Sequence, residues 1–241
     1  MFSPLRQWAA CLLDFVYPPH CLLCGNALEE DLERLCPACW QQVDSPAPVR
    51  CGRCSKPLVV PADWCGNCAS WDPLFEGALI LGDFTGSLQQ AVWNLKFGGQ
   101  PHLGVALGQL LGQRDEFAGV WEQLDMLLPV PLHPARQRER GYNQSLHIAR
   151  GVARSTGLPL AEGLLRRWVP TCQQARLELD QRRDNVAGAF VWGACDAVPR
   201  RVGVVDDVIT TGETLNACCR VLTAAGVERV WAVALASPYR W

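Results

Sequence analysis

The sequence predicts an α/β domain built on a mostly parallel sheet, preceded by a small cysteine-rich module that folds around metal. Three observations carry this reading. Eight of the 13 cysteines fall into four Cys-x-x-Cys pairs before residue 70. From Leu74 onward, apolar strand-like runs alternate with helix-like periods, the pattern of an α/β domain. Near the carboxyl end, VGVVDDVITTGETL (202–215) carries an apolar strand into two acids and a threonine–glycine loop. The composition changes at Pro73. The expected organisation is therefore a helical segment over 1–19, a metal module over 20–72 and the α/β domain over 73–241.

Composition narrows the classes. The chain of 241 residues is 49% hydrophobic and 19% charged, with a net charge of -2, which is globular rather than disordered. No apolar run reaches the roughly 18 residues needed to cross a bilayer. At the start, Asp14 interrupts a short apolar run and no small-residue cleavage site follows, so this stretch is read as a packing helix and not an export signal. Residues 1–72 hold 5 basic and 8 acidic side chains, the remainder 17 and 16. Nucleic-acid contact would therefore need a local basic face. Twenty of the 22 basic residues are arginine, which suits phosphate recognition but follows equally from codon bias.

In the cysteine-rich module the pairs are Cys21/Cys24, Cys36/Cys39, Cys51/Cys54 and Cys65/Cys68, separated by 11, 11 and 10 residues. Two such knuckles complete a tetrahedron around Zn²⁺, so four offer two closed Cys₄ sites, structural because no position is left for water or substrate. A disulfide framework would need an export signal, and a redox centre needs one pair rather than four. Sequential pairing makes tandem zinc ribbons and interleaved pairing a cross-brace; the short intervals favour the ribbons. Cys11, Cys172, Cys195, Cys218 and Cys219 lack ligand spacing, and the last two read as buried apolar residues of a helix.

The α/β elements follow in order. Strands are expected at 77–84, 124–132, 201–207 and 229–236, and helices at 87–97, 143–157 and 214–226. The strands lack polar alternation, as in a parallel sheet covered on both faces.

In such a unit the strand ending VGVV delivers the chain to the carboxyl edge of the sheet, where ligands bind. Amides at the start of the helix near Thr214, with the Thr hydroxyls, form an anion cradle, and Gly212 permits close approach. Asp206 and Asp207 can accept hydrogen bonds from vicinal hydroxyls or hold hydrated Mg²⁺. The plain alternative is a polar turn and a capped helix with solvated acids. Every part falls in register here, however, and the loop is no Walker motif, which would end in Gly-Lys-Ser/Thr.

VVDDVITTGET resembles the phosphoribosyl-pyrophosphate (PRPP) motif of type I phosphoribosyltransferases. That resemblance implies that Asp206 and Asp207 hold the ribose hydroxyls, and that the loop from Val208 and Ile209 through Thr210, Thr211, Gly212, Glu213 and Thr214 holds the 5′-phosphate. More broadly, PVPLHPARQRERGYNQ (129–144), FTGSLQQAVWNLKFGG (84–99), TCQQARLELDQRRDNVAGAF (171–190) and the cysteine-rich front resemble the ComF family (ComFC and GntX-like proteins) over nearly the whole chain. The implied fold is a type I phosphoribosyltransferase domain behind a double zinc ribbon. By position, His133, Arg136, Arg138, Arg140, Gly141, Asn143 and Gln144 resemble the loop that binds pyrophosphate with Mg²⁺; a solvated loop balanced by Glu139 is the alternative. His133 is either an acid–base group or structural. Gln173, Gln174, Arg182, Arg183 and Asn185 resemble the hood that closes over substrate, or else an exposed charged helix.

The family is implicated in DNA uptake during natural competence, at or inside the cytoplasmic membrane. The resemblance thus implies a cytoplasmic protein, peripheral at the inner face of the membrane, that binds PRPP or a related ligand and assists single-stranded DNA handling with a membrane-associated uptake complex. The alternative is an active phosphoribosyltransferase acting on a base or amine; a scaffold with a vestigial site is disfavoured by the complete motif. Trp40, Trp64 and Trp71 serve either to stack bases or as the small core of the metal module, and the ribbons carry few basic residues for DNA.

Overall fold

In chain order, α1 (Pro37–Val43) precedes β1 (Gly77–Asp83), α2 (Gly86–Phe97), α3 (Pro101–Gly112), α4 (Ala118–Trp121) and β2 (Met126–Pro129). There follow α5 (Pro134–Arg140), α6 (Gln144–Thr156), β3 (Leu165–Arg167), β4 (Phe190–Trp192), β5 (Arg201–Val208), α7 (Glu213–Ala225) and β6 (Arg229–Ser237). This computed structural model describes residues 20–21, 23–28, 35–43, 49–55, 58, 65–66, 68, 73–167, 189–195 and 197–238. The helical segment expected over 1–19 and the hood residues Gln173, Gln174, Arg182, Arg183 and Asn185 lie outside them, as do Trp64 and Trp71.

The sheet has the order β1-β6-β5-β2, with every neighbour parallel. Side chains alternate across a strand, and here both sets are apolar. Leu79, Leu81, Leu127, Val205, Val233 and Leu235 pack toward α2, α3 and α6. Ile80, Leu128, Val202, Val204, Ala232 and Ala234 pack toward α7 and the antiparallel β3–β4 pair. The helix-covered parallel sheet is therefore the one expected.

Of the helices that depart from expectation, two bear on the site. The 134–140 stretch, read as a loop, is helical, with Pro134 at its first turn and the His133 side chain accepting from Ala135 N–H at 3.2 Å. PHLGVALGQLLG, a stretch with no expected element, forms α3 although Gly104, Gly108 and Gly112 lower helix propensity. The glycines are used for contact. A Cβ at Gly108 would collide with the carbonyl oxygen of Ile148, and one at Gly151 with that of Val105, so the α3 and α6 backbones touch.

At the metal module, the two cysteine sets are Cys21/Cys24/Cys36/Cys39 and Cys51/Cys54/Cys65/Cys68, each with its sulfurs within 4.8 Å of one another. The pairing is sequential. Cys24 Sγ lies 3.7 Å from Cys36 Sγ, and Cys54 Sγ 3.6 Å from Cys65 Sγ. Tetrahedral Zn²⁺ with bonds of about 2.3 Å puts its sulfurs about 3.8 Å apart, whereas a disulfide needs about 2.05 Å. The ionisation pattern also fits a cation. Burial opposes ionisation of Cys21 and Cys51, but backbone amides outweigh it and bring them to about 6 and about 7. Burial and the neighbouring thiols push Cys39 and Cys68 well up. Four thiolates at this spacing need a divalent cation between them, and the eight cysteines are suited to two structural Zn²⁺ ions.

The module shares its core with the sheet domain. Cys21, Leu28, Leu35, Cys39 and Val43 belong to the same buried cluster as Leu88 and Val92 of α2, and half-buried Trp40 packs against it, serving as core. Arg50 bridges the two parts, donating from Nη1 to Ser55 O at 2.9 Å and from Nη2 to Asp83 Oδ1 at 3.1 Å. Cys218 and Cys219 are fully buried in α7, and burial pushes both thiols up, Cys219 to about 12.

Two outcomes follow from this packing. Chelation of zinc should expose α2 to hydrogen exchange together with residues 20–70, while α6, α7 and β5 stay protected; protection of α2 after metal removal would mean that the shared cluster does not couple the two parts. Gly151→Val should cost about 1–3 kcal/mol by overpacking, read as a lowered thermal midpoint, whereas Gly119→Ala, where a Cβ meets nothing within 4 Å, should be neutral or slightly stabilising.

Candidate functional site

The site forms at the carboxyl edge of the sheet because β5 ends in two acids. Successive residues of a strand face opposite sides, so Asp207 follows Val205 toward α2 and α6, while Asp206 follows Val204 toward α7. Asp207 is only 5% exposed. Its Oδ2 accepts from Gln144 Nε2 at 2.6 Å and its Oδ1 pairs with Lys96 Nζ at 2.8 Å. Asp206 Oδ1 accepts from Ser145 Oγ at 3.1 Å and from the Asp207 N–H at 2.8 Å. Burial and the adjacent Asp207 together raise the Asp206 carboxyl to about 7.

Beyond the acids, Asp206 and residues 208–215 line one concavity. Ile209 is buried in the core beneath it, Thr210 and Thr211 are exposed, and Gly212 caps α7 with a left-handed φ of 72°. Glu213 and Thr214 form the first turn of α7. Its free amides, the helix dipole and the Thr hydroxyls suit a single anionic group.

The loop after β2 supplies the other wall. Asn143 caps α6 by accepting from Ser145 N–H at 3.1 Å and donates to Val130 O at 3.0 Å. These two bonds set the register of α6, so that Gln144 and Ser145 meet the two acids. Gly141 takes a φ of 81° at the end of α5. Tyr142 OH donates to Leu95 O, fixing the loop against the end of α2 beside Lys96. Arg136 and Arg140 line a cleft of about 570 Å³ with Lys96, Phe97, Gly99 and Glu139; exposed Arg138 does not line it. His133 Nδ1 is engaged as a helix cap, which supports its structural reading.

Comparison with known proteins agrees with this architecture. Residues 12–69 match the model of the double zinc ribbon domain. The chain is 34% identical over 224 residues to "Competence protein F" of Haemophilus influenzae, covering 90% of this chain and 97% of the relative.

The chain belongs to the ComF family.

Further ComF relatives are "DNA utilization protein YhgH" of Salmonella typhimurium, 29% identical over 89% of this chain and 96% of the relative. "Competence protein ComFC" of Bacillus subtilis is 22% identical over 86% and 89%.

Three site residues of this ComF chain are not evident in the motifs. Lys96 sits 111 positions from Asp207 in sequence; its signal is that it is the one charged residue of α2. Ser145 looks like an ordinary helix-start residue. Arg167, on β3, stacks over Phe190 with its guanidinium carbon 5.4 Å from the ring centre, and its buried Nε has no hydrogen-bond partner among the described residues. Burial first, then neighbouring Arg136, lowers its pKa, while Asp206 opposes this.

The raised Asp206 pKa has a defined sign. Between the usual carboxylate value of about 3.9 and about 7, the folded state binds more protons than the unfolded one, so this group's stabilisation is present at low pH and is lost as pH rises through that window. Asp206→Asn should therefore melt progressively higher than the wild type as pH is raised from 5 to 8. A constant difference in melting temperature across that range would contradict the assignment.

Proposed function

We propose that this ComF protein binds a phosphoribosyl ligand, PRPP or a closely related sugar phosphate, and acts in the handling of single-stranded DNA during uptake. The observation that carries the ligand reading is the convergence of an acid pair, a threonine-lined helix start and a basic cleft on one edge of the sheet. The DNA part is supported by the names of the relatives, "Competence protein F", "Competence protein ComFC" and "DNA utilization protein YhgH".

In this reading the amides and hydroxyls of 210–214 hold the 5′-phosphate, and Asp206 and Asp207 accept from the ribose hydroxyls. The ligand must share Asp207 with Lys96 and Gln144 or displace one of them. Lys96, Arg136, Arg140 and Arg167 face the pyrophosphate end, with Arg138, Gly141 and the 143–144 turn framing that wall. Mg²⁺, held by Asp206 or Asp207 together with the ligand's phosphates, would neutralise charge there. By resemblance, the 171–190 stretch would supply a hood over the site, with Gln173, Gln174, Arg182, Arg183 and Asn185, which lie outside the described residues, as its polar contacts. The zinc module over 20–72 stabilises the phosphoribosyltransferase-like domain over 73–241 rather than touching the ligand. Among the described residues no helix is long and apolar enough to cross a membrane, and placement at the inner face of the cytoplasmic membrane is carried by the family resemblance alone.

Calorimetry with PRPP and Mg²⁺ tests the binding. The wild type should bind, more tightly at pH 8 than at pH 6, because deprotonated Asp206 is the better acceptor; the change is at most about tenfold per pH unit. Asp206→Ala with Asp207→Ala should abolish binding while leaving zinc content intact, and unchanged affinity in that variant would sink the site. Pyrophosphate release on adding bases or amines would make the protein a transferase; binding without release would make it a binding factor.

A further inference from the structure

Helix α2 ends in two aromatic side chains that the fold leaves in water. Trp93 is 58% and Phe97 63% exposed, although Ala91, Val92 and Leu95 of the same helix are buried. Their rings lie 4.8 Å apart at 53°, a preformed surface held by one turn of helix. The guanidinium carbon of Arg140 sits 5.4 Å from the Phe97 ring centre, within cation–π range. Arg140 Nη1 is shut off from solvent with no hydrogen-bond partner among the described residues, although it borders the 570 Å³ cleft. Phe97 itself lines that cleft, with Lys96 and Arg136, against the single acid Glu139.

From this we infer that Trp93 and Phe97 form a base-stacking shelf for single-stranded nucleic acid, with Arg136 and Arg140, which the strand would share with the proposed pyrophosphate end, taking its backbone phosphates. Exposed aromatic faces bordered by cations are what a single strand needs, since every base has a π-face and every linkage a charge. Charge decides the occupant: with Lys96 already paired to Asp207, Arg136 and Arg140 against the single acid Glu139 favour a polyanion over an apolar peptide. A duplex would not serve, because its bases are already stacked. The inference deepens the DNA-handling reading and rests on it, and it places the contact on α2 instead of the ribbon tryptophans, of which Trp40 is packed into the core. The shelf stands beside the proposed sugar-phosphate site, joined to it by Lys96, whose Nζ reaches Asp207.

The test is fluorescence anisotropy with a labelled oligothymidylate of about twelve nucleotides, a length within the usual site size. Trp93→Ala with Phe97→Ala should raise Kd about ten- to a hundredfold with zinc content and melting temperature unchanged. Trp93→Phe with Phe97→Tyr should restore binding, and bromodeoxyuridine substituted into the oligonucleotide should crosslink to α2. Arg140→Gln should reduce the slope of log K against log salt by about 0.7. Equal binding by wild type and the double alanine variant would overturn the shelf, leaving the pair as a contact for another protein while the DNA reading stands. A wild type that binds no oligonucleotide would overturn both, whatever the calorimetry with PRPP returns.

Discussion

The buried carboxylate of Asp207 is the constraint on which the site depends. A charge with this little exposure is costly unless it is paired and hydrogen-bonded. Its two partners come from different elements, Lys96 from α2 and Gln144 from α6. Satisfying one side chain thus fixes two helices against the end of β5. The smaller bonds serve the same arrangement: Tyr142 ties the loop to α2, and Asn143 sets the start of α6. Burial and the adjacent Asp207 keep Asp206 partly protonated, because two neighbouring acids in a dry site cannot both ionise without cost.

What permits this convergence is helix packing at the closest possible distance. Gly108 and Gly151 let α3 and α6 touch through their backbones, which seats α6 low enough for Gln144 and Ser145 to reach the acids. The cost in helix propensity is about 1 kcal/mol per glycine, and it is offset by burial of Leu103, Leu107, Leu111, Ile148 and Val152. Stability and site geometry here are one packing problem.

The zinc module follows a different rule. With few large apolar residues of its own, it folds through metal–thiolate bonds and then contributes Leu35 and Val43 to the cluster that covers α2. Among the described residues, the outer side of α2 receives no such cover. That asymmetry leaves Trp93 and Phe97 in solvent beside the basic cleft, so one helix joins the metal module on its inner side, the acid pair through Lys96, and the aromatic shelf outside.

Much of this was legible in the chain. Local spacing determined the eight cysteines as metal ligands, because a Cys-x-x-Cys turn brings two sulfurs together whatever surrounds it. Continuous apolar runs determined a parallel sheet covered on both faces, and the acid–threonine motif determined where its working edge lies. Helix α3 was hidden, since glycines that serve packing look like helix breakers until the facing helix is known. Helix α5 was hidden by being short, dense in charge and started by a proline after a histidine cap. The short intervals already favoured sequential cysteine pairing, whereas the shared core and the places of Lys96, Ser145 and Arg167 were decided by tertiary structure alone. The physical reason is common to them: each depends on a partner far away in the chain, and neither periodicity nor spacing carries the distance between two elements that only the packed sheet brings together.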